Sequence, residues 1–67
     1  MKRGTVFEHR HWLDAKHMPL LCQVTATARD VVYWATYDPA NPHPKSRSYF
    51  YVQDIPKYVG QILEEPK

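Results

Sequence analysis

The chain is poor in the residues on which disulfide frameworks, phosphate loops and membrane spans depend. Its 67 residues contain a single cysteine, Cys22, and two glycines, Gly4 and Gly60. One cysteine excludes an internal disulfide, so packing alone must hold the fold. Two isolated glycines exclude a Gly-rich phosphate loop, and neither a nucleophile elbow nor a paired-acid motif is present. No run approaches about 18 apolar residues, and Met1 to Trp12 lacks the apolar stretch of a signal peptide. A cytoplasmic protein that does not enter the membrane is therefore expected. A chain of this length buries only about 60% of the surface its unfolded form exposes. One compact domain spanning residues 1–67 follows, with little room to enclose a substrate, and neither an enzymatic activity nor a cofactor is expected.

Charge of either sign is also modest. The net charge is +2, with nine Lys and Arg against seven Asp and Glu, well short of a dedicated duplex-DNA binder. The cations lean towards the beginning: Lys2, Arg3, Arg10 and Lys16 face only Glu8 and Asp14 before His17. From Asp38 to Lys67 the charges balance, with Lys45, Arg47, Lys57 and Lys67 against Asp38, Asp54, Glu64 and Glu65.

What the chain does have is period-two patterning. Leu20, Cys22, Val24, Ala26 and Ala28 alternate with Leu21, Gln23, Thr25, Thr27 and Arg29, which predicts a strand over 20–29. A second β-branched and aromatic run over 31–37 follows after Arg29-Asp30, so the two form an antiparallel hairpin with a tight turn. The turn lacks Asn-Gly or Asp-Gly, and a one-residue slip would exchange the two faces of the second strand. A strand is also expected over 5–12, and another over 48–52. Between hairpin and last strand, residues 38–47 carry Pro39, Pro42 and Pro44 and form an exposed loop. Near the end, Ile55, Tyr58, Val59, Ile62 and Leu63 fall at helical spacing behind Asp54 and Pro56, predicting a short helix over 55–63 that covers the sheet.

The predicted class is mainly β. This order of strand, long loop, hairpin, proline loop, strand and short helix resembles a small SH3-like barrel, the architecture of Tudor-type modules; the other form is a strongly bent antiparallel sheet of four to five strands. A shared architecture implies no function. The runs Gly4-Thr5-Val6-Phe7, His9-Arg10-His11-Trp12, Cys22-Gln23-Val24-Thr25-Ala26 and Val32-Tyr33-Trp34 also resemble short proteins of actinobacteria and their phages. That group implies no particular activity, so no site residue is carried over from it.

Nine aromatic residues exceed what so small a core needs. If Val24, Ala26, Val32, Trp34, Phe50 and Val52 face inward, then Tyr33, Tyr37, Tyr49 and Tyr51 form an opposite, tyrosine-rich face. The slipped register would instead expose Trp34. Tyrosine combines apolar area with a hydroxyl at small entropic cost, which suits protein interfaces and the stacking of single-stranded bases. The expected function is a non-catalytic binding module that docks a protein partner, an adaptor or a modulator of a host enzyme, with Arg10, Lys45 and Arg47 steering an acidic surface. The first alternative is a weak single-stranded nucleic-acid binder, the second a small structural or assembly protein; self-association through the same face is a variant. His9 and His11 share a side of their strand but match no recognised metal spacing, although His17, His43 or Cys22 would be the third ligands to consider. No metal is expected. Cys22 is disfavoured as a nucleophile because the alternation buries it.

Overall fold

The computed structural model describes residues 1–41, 43 and 45–66; Pro42 and Pro44 of the proline loop and Lys67 lie outside the described residues. Among the described residues five strands form: β1 (Val6–Leu13), β2 (Pro19–Thr27), β3 (Val31–Thr36), β4 (Arg47–Tyr51) and β5 (Val59–Glu64). A 3-10 turn, Val52–Asp54, and a four-residue helix α1, Ile55–Tyr58, lie between β4 and β5. The strands make one open antiparallel sheet in the order β4-β3-β2-β1-β5. Among the described residues no helix is long and apolar enough to cross a membrane.

The sheet is strongly bent. In a flat sheet β1 and β4, three strand spacings apart in this order, would hold their side chains about 14 Å from each other. The rings of Phe7 on β1 and Phe50 on β4 are instead 6.0 Å apart, edge to face. The inner face therefore curls around one cluster of Phe7, Cys22, Val24, Val32, Trp34, Phe50 and Val59. Tyr58 and Ile55 pack against this cluster from α1, and Met1 and Leu20 also pack on it.

The hairpin takes the register that buries Trp34, pairing Val24 with Trp34 and Cys22 with Thr36. Its alternation is broken by a bulge between Val24 and Ala26, after which Ala26 lies opposite Tyr33. An extra residue reverses the faces beyond it, so Ala26, expected inside, is exposed. Val52 also leaves the core, because the chain turns into the 3-10 segment immediately after Tyr51.

The predicted helix over 55–63 is corrected to Ile55–Tyr58, since Val59–Glu64 forms β5. The five apolar residues satisfy a helical stripe, yet a nine-residue helix is marginal without packing. As a strand the same segment covers the free edge of β1, with Phe7 opposite Ile62 and His9 opposite Val59. Gly60 permits that approach: a Cβ there would lie 3.0 Å from the carbonyl oxygen of Glu8. Gly60→Ala, which would stabilise a helix, is thus expected to destabilise this protein by about 1–3 kcal/mol through overpacking against backbone. Urea denaturation measures it, and an unchanged or raised midpoint would contradict the close approach.

Candidate functional site

β3 and β4 position the tyrosines. Tyr33 lies opposite Tyr49, Val31 opposite Tyr51 and Ala35 opposite Arg47, so alternation along β4 places Arg47, Tyr49 and Tyr51 on the side away from Phe50. The rings of Tyr33 and Tyr49 are 6.2 Å apart and those of Tyr49 and Tyr51 6.0 Å. All three remain exposed, at 44%, 55% and 48%. These tyrosines and Arg47 make one contiguous outer face.

Tyr37, Lys45 and Arg10 do not join it. Tyr37 lies beyond the end of β3, where its N–H donates to the Leu21 carbonyl, 2.9 Å away. With Lys45 it lines a separate groove that runs past Trp12, Leu13 and Leu20. The Thr36 hydroxyl holds that part of the loop by accepting the N–H groups of Lys45 and Ser46, at 2.9 and 3.3 Å. Arg10, on β1, donates from its guanidinium to the Val59 carbonyl at 3.1 Å, straddling the β1–β5 seam at the other end of the sheet order.

A second aromatic assembly lies on the inner side of β4. The β1–β2 pairing jumps from Glu8 opposite Leu21 to Leu13 opposite Pro19, and the irregular stretch turns two backbone N–H groups away from the ladder. His9 meets both: its Nδ1 accepts from His11 N–H at 3.1 Å and Trp12 N–H at 3.0 Å. The His9 ring is buried and stacks flat on Trp12, centroids 4.6 Å apart and planes 8° from parallel. Trp34 and Tyr58 flank it at 5.6 and 5.9 Å. Strand alternation pairs His9 with His11 and misses this use of His9, which depends on an irregularity that the alternation does not signal.

These rings border a cleft of about 370 Å³ running beside β4. Trp34 and Phe50 contribute to its lining from the core, Trp12 and Tyr58 pack against them with ring centroids 5.4 and 6.0 Å away, and Asp54 enters from the 3-10 turn. Trp12 is half exposed. Among the described residues no group of three or more His, Cys, Asp and Glu is arranged to hold a metal ion, and the Nδ1 of His9 is already engaged by backbone. Compared with family models, with characterised proteins and with solved structures, the chain matches none.

The environment of His9 carries a pH dependence. Burial, and secondarily the charge of His11, lower its pKa from the ordinary 6.5. A protonated Nδ1 can no longer accept the two N–H groups. Asp54 and Tyr58 border the same cleft, but burial and His11 both act in one direction. Because the folded pKa is below the unfolded one, the unfolded chain binds more protons as pH falls through 6.5, and stability drops there. Above that pH the contribution is complete. Urea midpoints at pH 7.5 and 5 test this: the wild type is expected to lose stability at the lower pH, and His9→Asn, which keeps an acceptor and does not titrate, to lose less. Equal losses in both would assign the effect to other groups.

Proposed function

We propose that the chain is a non-catalytic binding module that docks a protein partner through Tyr33, Tyr49, Tyr51 and Arg47. The observation that carries this reading is three adjoining tyrosine rings left outside a core that is complete without them. Such rings bury large area at low entropic cost, and an arginine beside them adds a steering charge and a hydrogen-bonding fork. The burial of Cys22 and the raised pKa of its thiol support a non-catalytic role. An adaptor or modulator of another protein fits this description. We also read the curled sheet as a small SH3-like barrel, on the support of its strand order and of the 3-10 turn before β5; that reading adds no function.

The protein-partner reading is favoured over single-stranded nucleic acid by the placement of the cations. Arg47 shares the tyrosine face, whereas Lys45 lines the other groove, Arg10 is bonded to Val59 and the Lys57 ammonium lies 5.6 Å from the Tyr58 ring centroid. A phosphate chain would need a continuous cationic track along the rings. The experiment is affinity capture with wild type and Tyr33→Ala/Tyr49→Ala, followed by binding of the captured protein in purified form. A partner retained by wild type and lost by the double variant is expected. Identical capture by the two, with both folded, would overturn the assignment of this face.

A further inference from the structure

The free edge of β4 carries a second feature that coincides with the cleft. The N–H of Thr36 donates to the Ser46 carbonyl at 3.0 Å and that of Val52 to the Asp30 carbonyl at 2.9 Å. Both pairs continue the register that places Ser48 opposite Trp34 and Phe50 opposite Val32. In an antiparallel ladder, hydrogen-bonded pairs recur at every second residue. Ser48 and Phe50 therefore bond to β3, while Arg47, Tyr49 and Tyr51 direct their N–H and C=O groups off the sheet. β4 is the last strand in the order, and among the described residues no turn or loop bond reaches the Arg47 or Tyr49 backbone, while the Tyr51 carbonyl opens the 3-10 turn and leaves its N–H free of the sheet. An open edge of this kind is a template for another strand.

This edge also borders the aromatic cleft, whose lining includes Ser48, Tyr49, Phe50 and Tyr51 of β4 together with Trp12 and Tyr58. A strand laid along β4 would point alternate side chains over the cleft and the remainder along the tyrosine face. The cleft's chemistry selects what enters. Asp54 is the one side chain with a full charge in its lining among the described residues, and its carboxylate makes no capping hydrogen bond to the helix that follows. Tryptophan and tyrosine faces beside a carboxylate favour a cation on an apolar stem. A second copy of this chain does not supply one. The inner side chains of its β4 are Ser48 and the core residue Phe50, neither of them a cation, and its other edge strand, Val59–Glu64, holds no lysine or arginine.

We propose that β4 and the adjoining cleft bind an extended peptide segment of a partner protein, which adds to the sheet as a sixth strand and seats an arginine or lysine side chain between Trp12, Tyr58 and Asp54. The proposal rests on the protein-partner reading above and specifies the form of that partner.

The test uses the full chain, isotope-labelled for NMR, and a capped synthetic peptide of sequence Thr-Val-Thr-Arg-Thr-Val-Thr. Companion peptides replace the arginine by alanine or glutamate, and another carries N-methyl groups at alternate backbone nitrogens. The arginine peptide is expected to slow hydrogen exchange at the Tyr49 and Tyr51 amides and to bind about tenfold more tightly than the alanine peptide, with the glutamate peptide weakest. N-methylation is expected to abolish binding, and Asp54→Asn to remove the preference for arginine while preserving amide protection. Unprotected Tyr49 and Tyr51 amides in the bound state would overturn strand addition. An unchanged arginine preference in Asp54→Asn would overturn the cation site. Gln61 is exposed on β5, at the opposite edge of the sheet and outside the cleft lining, so Gln61→Ala should leave peptide affinity unaltered. Absence of binding by all the peptides, with partner capture still sensitive to Tyr33→Ala, would reject the sixth strand and retain the docking face.

Discussion

Phe7→Ala is expected to leave little folded protein at 25 °C. Phe7 is fully buried and meets two other rings edge to face, Trp34 at 6.4 Å and Phe50 at 6.0 Å. These contacts tie β1 to β3 and β4 across the curl of the sheet, so the ring fills the space that the curvature encloses. Removing a buried phenylalanine costs about 3–5 kcal/mol. A chain of this length has a total stability of about 3–10 kcal/mol at ordinary per-residue values. The loss therefore consumes much or all of the margin. Tyr49→Ala, by contrast, removes an exposed ring and is expected to change stability by about 0.5 kcal/mol. Urea denaturation followed by tryptophan fluorescence compares the two. A loss below about 1 kcal/mol for Phe7→Ala would show that the bend does not depend on this ring.

Local patterning makes a good part of this arrangement readable in advance. The hairpin, the strand ending at Tyr51 and the inward set of Val24, Val32, Trp34 and Phe50 follow from period-two alternation, which needs no knowledge of distant residues. Tyr33, Tyr49 and Tyr51 are legible for the same reason, being the complement of that inward set. The failures occur where a distant partner decides. Val59–Glu64 is a strand because β1 lies open beside it and Gly60 has no side chain to hold the two apart; nothing within 55–63 distinguishes that outcome from a helix. Ala26 is turned outward by a bulge, and Val52 by the 3-10 turn. Alternation alone puts Tyr37 on the tyrosine face by extending β3 one residue too far, past the point where Thr36 anchors the loop. The cleft leaves no trace in local patterning because its lining comes from β1, β3, β4, the 3-10 turn and α1, which meet only when the sheet bends.

The second large effect is expected at Cys22, whose thiol in the folded protein should alkylate at least about a hundredfold more slowly than in the unfolded chain, the ratio set by a stability of about 3 kcal/mol or more. Cys22 is fully buried on β2, opposite Phe7 on one side and Thr36 on the other, with its Sγ 3.7 Å from the Leu20 carbonyl it donates to. Burial pushes the thiol from the ordinary 9.0 up to about 12. The folded chain therefore holds little thiolate below pH 9, and the thiolate is the reacting species. Labelling must then pass through an opening that separates β2 from its neighbours, so its rate follows the population of the open form when reclosing is fast. The same shift has a stability consequence of definite sign. Between pH 9 and 12 the unfolded chain releases the proton that the folded one keeps, so stability falls as pH rises above 9, and Cys22→Ala should flatten that limb. The thiol thereby separates lost binding from lost fold: labelling should accelerate sharply in Phe7→Ala but stay at the wild-type rate in Tyr33→Ala and Asp54→Asn. Wild-type alkylation at pH 8 within about tenfold of the unfolded chain would mean that the core around β2 opens freely. In that case the β4 edge would not be the fixed template that strand addition requires.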